Sequence, residues 1–415
     1  MTKQSIKIAE QFLKMEELRV REYDKERDRQ AVEEMEKRCE LGLQAGKPSL
    51  CTDLMGDPTC RIRHSPSSLM LVAEYGEEKE IVGVIRGCIK TVTRGKKKPM
   101  SSSSNSFPIY AMVAYILGLR VLPTHRRLGI GTRLVEKLEE WGKEEGAEYA
   151  YMATECTNEA SINLFTLKCA YVKFRTPTIL VQPVHAHYKH IGSGITIVQL
   201  APQLTESIYR RVFANSEFFS KDIDVILYNK LNLGTFMALP KGTLHKWDPR
   251  SGHLPPCFAI LSVWNSKEVF KFQVKGVSVL KYALCIGSRI LDAWMPWLRI
   301  PSIPDVFRPF GVYNLYGLHM EGGKGASRLM KSLCAFAHNM ASDDAGCGAL
   351  VAEVGSMDPV RQAVPHWRRF SWAEDLWCMK KLSTTVEDDD ETCGVPNWIT
   401  SRPSSPVIFF DPRDF

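Results

Sequence analysis

The chain has 415 residues, more than one ordinary hydrophobic core accommodates, and suits two or three domains. With 44% apolar, 10% aromatic and 24% charged residues it has a globular composition, which excludes a disordered or collagen-like chain. The net charge of +7 suits an anionic ligand but falls short of a nucleic-acid-binding tail, so no direct nucleic-acid binding is expected. The first residues lack the apolar core of a secretory signal, and the longest apolar stretch, 109–119, is too short to span a membrane. No membrane association is expected. The twelve cysteines form no C-x-x-C pair, and they read as reduced thiols of a cytosolic or nuclear protein, with Cys88, Cys285 and Cys334 as small core residues.

A short amphipathic lead (1–17) precedes a strand, a turn and a charged helix over 18–41. Residues 51–68 read as a loop rich in turn residues. Two β-rich runs follow, 69–76 and 80–92, and then a basic and serine-rich loop, 94–108. Residues 109–123 read as a buried strand stopped by Pro123. The helix after it carries Leu134, Val135, Leu138 and Trp141 on one face and stops at Gly146. A strand (147–156), a helix (157–170) and a closing strand pair (171–184) complete an α/β pattern.

Between the buried strand and its helix lies "HRRLGIGTRL", residues 125–134. Backbone N–H groups at a helix N-terminus attract an anion, glycines allow close approach, and arginines add charge-assisted bonds to phosphate. The run reads either as a pyrophosphate cradle or as a tight strand-to-helix turn; it is neither a Walker A loop nor a full G-x-G-x-x-G. Three histidines in "HAHYKH" (185–190) lie in a linker, 185–195, with no cysteine or carboxylate beside them, so no metal site is expected.

The second half, 196–384, repeats part of this order. An apolar strand leads to Gly323-Lys324-Gly325, a helix with Arg328-Leu329-Met330 matches Arg133-Leu134-Val135 in type, and Glu353 ends the next strand as Glu155 does. Residues 374–382 read as its last strand. Met320 and Glu321 stand where an arginine would be needed, which disfavours a second pyrophosphate site. An acidic, Pro-rich tail, 385–415, ends with an apolar clip, "VIFF", able to dock on a domain.

Arg126-x-x-Gly129-x-Gly131, with "NEASINLFTLKCAYVKF" (158–174) after it, resembles the acetyl-CoA motifs of the GCN5-related N-acetyltransferases (GNAT). "RIRHSPSSLMLVAE", "FFSKDIDVIL", "SLCAFAHNMA" and "FDPRDF" extend the resemblance, almost end to end, to the plant hookless-type probable N-acetyltransferases. The resemblance implies a GNAT fold, a mixed α/β sheet, over 18–184, and a tandem architecture with a degenerate GNAT-like copy over 196–384. It implies acetyl-CoA as cosubstrate, a protein amine such as a histone lysine or a small amine as acceptor, action in the nucleus or cytoplasm with the nucleus favoured, and a part in hormone-dependent growth such as the seedling apical hook.

Carried over by position, Leu119, Arg120 and Val121 would run beside the pantetheine arm, with backbone bonds from Leu119 and Val121. Arg126, Arg127, Leu128, Gly129, Ile130, Gly131 and Thr132 would wrap the pyrophosphate, and Asn158 with its helix, including Phe165, would follow the far arm. The departures concern proton transfer. Phe165 stands where the family often has a proton-donating tyrosine, and 109–119 has no carboxylate. Tyr115 and Glu155 are the candidate substitutes. Two functions follow: an N-acetyltransferase, or a regulatory pseudoenzyme acting through protein partners of the second domain and tail.

Overall fold

The computed structural model describes residues 18–41, 49–99, 106–249, 253–298, 300, 302, 304–368, 371, 374–382, 397–401 and 405–414. The expected lead at 1–17 and most of the acidic part of the tail lie outside the described residues.

The first unit opens with β1 (Leu18–Glu22), α1 (Lys25–Leu41) and β2 (Ser49–Asp53), followed by β3 (Ser67–Tyr75), β4 (Glu80–Pro99) and β5 (Ser106–Val121). After the "HRRLGIG" loop come α2 (Ile130–Glu144), β6 (Tyr149–Glu155), α3 (Glu159–Asn163) running into a π-turn at Leu164–Lys168, and β7 (Val172–Arg175). The expected loop at 94–108 is largely an extended hairpin, since Lys97 pairs with Pro108 and Pro99 with Ser106. The expected loop at 51–68 contributes β2.

The second unit comprises β8 (Thr178–Pro183), β9 (Ile195–Leu200), α4 (Pro202–Val212), β10 (Glu217–Ser220), α5 (Ile223–Leu227), β11 (Asn232–Pro240), β12 (Phe258–Asn265), β13 (Lys271–Lys275) and α6 (Val279–Trp294). It continues with β14 (Gly311–Glu321), α7 (Lys324–Asp343), β15 (Cys347–Val354) and β16 (Asp375–Lys381).

Two mixed sheets result. The first runs β1-β3-β4-β5-β6-β16-β7, with β10 against β4; the second runs β8-β15-β14-β12-β11-β9. In each, one parallel pair stands among antiparallel neighbours: β5 with β6, and β14 with β15. Each leading strand carries a bulge at a glycine with positive φ, Gly118 at +62° and Gly317 at +59°. After Ile116–Met152 and after Leu315–Ala352 the parallel strands part. The duplication read from the sequence is therefore present as a repeated strand–bulge–helix–strand unit.

The expected boundaries are corrected in one respect. The sequence reads residues 171–184 as a strand pair closing the first unit, and 374–382 as the last strand of the second. Instead β8 pairs with β15 in the second sheet, and β16 lies between β6 and β7 in the first. The units exchange strands, so a cut at residue 184 would strip β16 from the first sheet and β8 from the second. A two-stranded ribbon of β2 and β13 adds a further tie.

The sequence 185–195 is no loose connector. The His185 backbone N–H donates to His338 Nε2 at 2.9 Å, the Ala186 N–H donates to Asp292 at 3.0 Å, and Asn339 Oδ1 accepts from Lys189 N–H at 2.7 Å. The apolar clip docks as expected. Phe409 is buried, Ile408 bridges Glu217, and the turn beyond it buries Asp411 and Arg413. Arg413 bonds Asp411 and, at 2.7 Å, Asp222. Cys88 and Cys334 are core residues, whereas Cys285 is half-buried on α6. Among the described residues no helix is long and apolar enough to cross a membrane, and no cluster of metal-ligating side chains is present.

Candidate active site

The site starts from the bulge in β5. Arg86, buried on β4, donates to the Gly118 carbonyl at 3.3 Å, to the Pro58 carbonyl at 2.6 Å and to Glu36 at 2.9 Å. A Cβ on Gly118 would lie 2.7 Å from that guanidinium. Beyond the bulge, the Leu122 N–H bonds Val82, so β-strand alternation turns the backbone groups of Leu119 and Val121 to the side from which β6 has departed. That is the place expected for a pantetheine arm.

The chain then turns through Arg127, held at φ +66°, and Gly129, at φ +87°, into α2. The first helical hydrogen bond runs from the Arg133 N–H to the Gly129 carbonyl, so the N–H groups of Ile130, Gly131 and Thr132 precede the ladder. No side chain caps this end. A Cβ on Gly129 would meet nothing within 4 Å, so no protein atom crowds the approach to the helix end. Gly131 is different, because a Cβ there would press on Leu164 at 3.3 Å.

A cleft of about 1070 Å³ lies over this end. Its wall includes Leu119, Arg120 and Val121 from β5, then Arg126, Arg127, Gly129, Ile130, Gly131 and Thr132 from the turn and helix. Asn158 also lines it and caps α3 by accepting the Ser161 N–H at 3.2 Å. Free N–H groups, positive dipole, two exposed arginines and an unfilled approach at Gly129 match a pyrophosphate, so the residues present fit the coenzyme.

One expected cofactor residue, Phe165, is corrected. Leu128 keeps its place in the turn, with its half-buried side chain against the first core. Phe165 is 1% exposed and packs edge-on against Tyr171, with ring centroids 5.1 Å apart. The π-turn starting at Leu164 gives that wall to Leu164, Leu167 and Lys168 instead. Sequence reasoning also missed His125, which lines the cleft and meets Tyr75 edge-on at 5.3 Å.

Tyr115 and Glu155 both reach a second cavity, of about 380 Å³, between the two units. Tyr115 stacks on Tyr151 at 4.7 Å, and burial, reinforced by Asp414, pushes its phenol well above the ordinary range. Glu155 is exposed at the end of β6. The cavity also takes Glu353 and Asp375 from the second half and Asp411 and Asp414 from the tail. Burial, then Asp375 and Asp414, raises Glu353 well above the carboxylate range; burial and Glu155 push Asp375 up to about 6. An intermediate cavity of about 400 Å³ shares Arg120 with the coenzyme cleft and Arg61 and Thr52 with the inter-unit cavity. The signal for Glu353 was its match to Glu155; that for Asp414 was the "FDPRDF" segment.

With this geometry in place the chain can be compared with known proteins. The acetyltransferase (GNAT) family profile matches residues 20–171. "Probable N-acetyltransferase HLS1" of Arabidopsis thaliana is 50% identical over 408 residues, spanning 95% of this chain and 99% of that protein. The chain belongs to this GNAT family of probable N-acetyltransferases. A rice relative from Oryza sativa subsp. japonica, "Acetyl transferase GW6a", is 41% identical and covers 96% of this chain and 97% of its own length. Among solved structures, Saccharomyces cerevisiae N-myristoyltransferase with bound myristoyl-CoA superposes with a TM-score of 0.52 at 10% identity, covering 88% of this chain and 79% of that one, a likeness of fold alone. For this GNAT chain the fold expectation, a mixed α/β tandem, holds.

Proposed function

We propose that this GNAT chain transfers the acetyl group of acetyl-CoA to an amine. The observation that carries the reading is the junction of two spaces: a cleft built on the N-terminus of α2, and a carboxylate-lined cavity reached past the bulge at Gly118. The cleft residues hold the coenzyme. An incoming ammonium ion gives one proton to a carboxylate of the cavity, and the nitrogen lone pair forms the C–N bond as the thioester C–S bond breaks. The second nitrogen proton leaves with the CoA thiol. In this reading Glu155 accepts the first proton, and Tyr115, kept protonated by burial, relays the second, giving its phenolic proton to the leaving thiolate and regaining one from the nitrogen. Positioning in the parted strands supplies a further large share of the rate.

The resemblance to hookless-type proteins extends the proposal to hormone-dependent growth in plants and to the nucleus, where a histone lysine is one acceptor to test beside small amines. Nuclear fractionation of the tagged chain checks the location.

A second reading, a regulatory pseudoenzyme, is favoured by Phe165, sealed in the core where it cannot serve a leaving thiolate. Calorimetric titration with acetyl-CoA and CoA, followed by a CoA-release assay across an amine panel, separates the two. Tight binding by the wild type, loss in Gly129→Asp and turnover with an amine support the enzyme. Binding without turnover across the panel supports the regulator, and equal binding by wild type and Gly129→Asp overturns the cradle itself.

A further inference from the structure

Five carboxylates line the inter-unit cavity, and their surroundings divide them into two groups. Asp414 bonds Lys90 and accepts from the Tyr151 hydroxyl at 3.0 Å. Asp411 is held by Arg413 at 2.7 Å and by Ser220 at 2.8 Å. Arg61, the cation on the cavity wall, spends Nη2 on the Asp414 main-chain carbonyl at 3.1 Å. Glu155, Glu353 and Asp375 form the other group, and no cationic side chain is bonded to any of them in the described structure.

These three come together against their own repulsion. Asp375 stands directly opposite Glu155 in the antiparallel pair of β16 and β6. Like charges directly opposite across a sheet destabilise it. Glu353 arrives from β15, at the corresponding strand end of the second unit, so the exchange of strands is what assembles the cluster. A second observation points to a ligand here. Trp377 is 4% exposed and lines the cavity, and its buried indole N–H reaches no acceptor at hydrogen-bond geometry. Buried donors are rarely left unpaired. The walls between these polar groups are the rings of Phe270, Phe272, Trp377 and Phe410.

A protonated alkylamine answers each of these features. Its ammonium meets three carboxyl groups that have no cationic partner, its aliphatic arm lies along aromatic walls, and an amide oxygen at its base takes the indole N–H. An arylamine, neutral at pH 7, would leave the carboxylates facing one another. We propose that Glu155, Glu353 and Asp375 form a shared ammonium-binding subsite, with Trp377 beside it, that selects a lysine-like alkylamine acceptor. The inference deepens the acetyltransferase reading and rests on it for the word acceptor. The second unit then supplies half of the acceptor site and does more than mediate outside contacts.

The test is a direct binding measurement, so that it does not depend on turnover. Full-length protein, with and without CoA, is titrated with N-α-acetyl-lysine N-methylamide and with the uncharged norleucine counterpart, using saturation-transfer NMR. The lysine probe is expected to bind at least about tenfold more tightly than the neutral one, and Glu353→Gln and Asp375→Asn each to weaken it by about tenfold or more, as removing a charge partner does. CoA affinity stays unchanged in both variants. Thermal melting reports folding, and Asp375→Asn is expected to melt no lower than wild type because a like-charge pair is relieved. Equal binding of the two probes, or undiminished lysine-probe binding by both variants, overturns the subsite. Failure of CoA to bind the wild type overturns the coenzyme reading separately, because the probe titration is also read without CoA.

Discussion

The hydroxyl of Tyr151, in the middle of β6, donates to the carboxylate of Asp414 at 3.0 Å, joining an inner strand of the first sheet to the last turn of the described chain. Lys90 completes the triad from β4; its side chain is 3% exposed and that of Asp414 19%. Burial lowers the Lys90 ammonium, and the charges of Asp414 and Asp411 with the Asp414 hydrogen bond together more than restore it, while burial raises the Asp414 carboxyl. Removing one member of such a pair strands the other. Asp414→Ala is therefore expected to cost about 3–5 kcal/mol of stability in urea denaturation, with much of that regained in Lys90→Met/Asp414→Ala. A single-variant loss under about 1 kcal/mol would mean that water reaches Lys90.

Phe165 occupies a position where a tyrosine would invite a role as proton donor, yet its ring lies in the first core against Tyr171. Phe165→Tyr adds a hydroxyl there, and the neighbouring Tyr171 hydroxyl already has no partner. The expected result is a loss of about 1–3 kcal/mol, with no rise in acetyl transfer. A faster enzyme would show that the ring can turn into the cleft.

Much of this architecture was legible. The amphipathic face of α2, the glycines of the cradle and the repeat of strand, glycine and helix at Gly323 all follow from spacing that backbone geometry dictates. The destination of β8 and β16 was not legible, because "TILVQP" and "DLWCMKK" announce buried strands and nothing about which sheet will pair with them. Phe165 was carried to the cleft by its match to a motif position, and the π-turn at Leu164 changes the phase of the helix there. The short polar β2 gave no alternation to read. Tyr115 and Glu155 could be nominated one at a time, but the cavity that joins them to Glu353 and Asp375 exists only after strand exchange.

Arg127 tests whether the cradle stores strain. Its φ of +66° is a conformation that glycine adopts without penalty, and its side chain is exposed beside the coenzyme cleft. Arg127→Gly is expected to hold or raise the melting temperature, since about 1 kcal/mol of backbone strain is relieved. The same change removes a cation from the pyrophosphate end, so CoA affinity should fall by roughly tenfold, with a shallower salt dependence. A variant that gains stability and keeps full CoA affinity would leave Arg127 without a part in the cradle.

The histidines of the inter-unit connector predict a pH dependence. His338 Nε2 accepts the His185 backbone N–H at 2.9 Å, which requires an unprotonated nitrogen, and His185 Nδ1 lies 2.9 Å from the Ser302 carbonyl. Burial lowers both imidazoles to about 4, His338 further disfavoured by His185 and His185 by Lys189. The unfolded chain, with histidine near 6.5, therefore binds more protons than the folded one between these values. The stability due to the neutral pair is fully present above about pH 6.5 and is lost as pH falls toward 4, on the order of 3 kcal/mol for each histidine as an upper bound. Urea midpoints measured from pH 7.5 to 4.5 should fall, and His338→Gln, which can still accept through its amide oxygen, should flatten part of that slope. An identical slope in the variant would assign the acid sensitivity to other groups and leave the connector's histidines as packing alone.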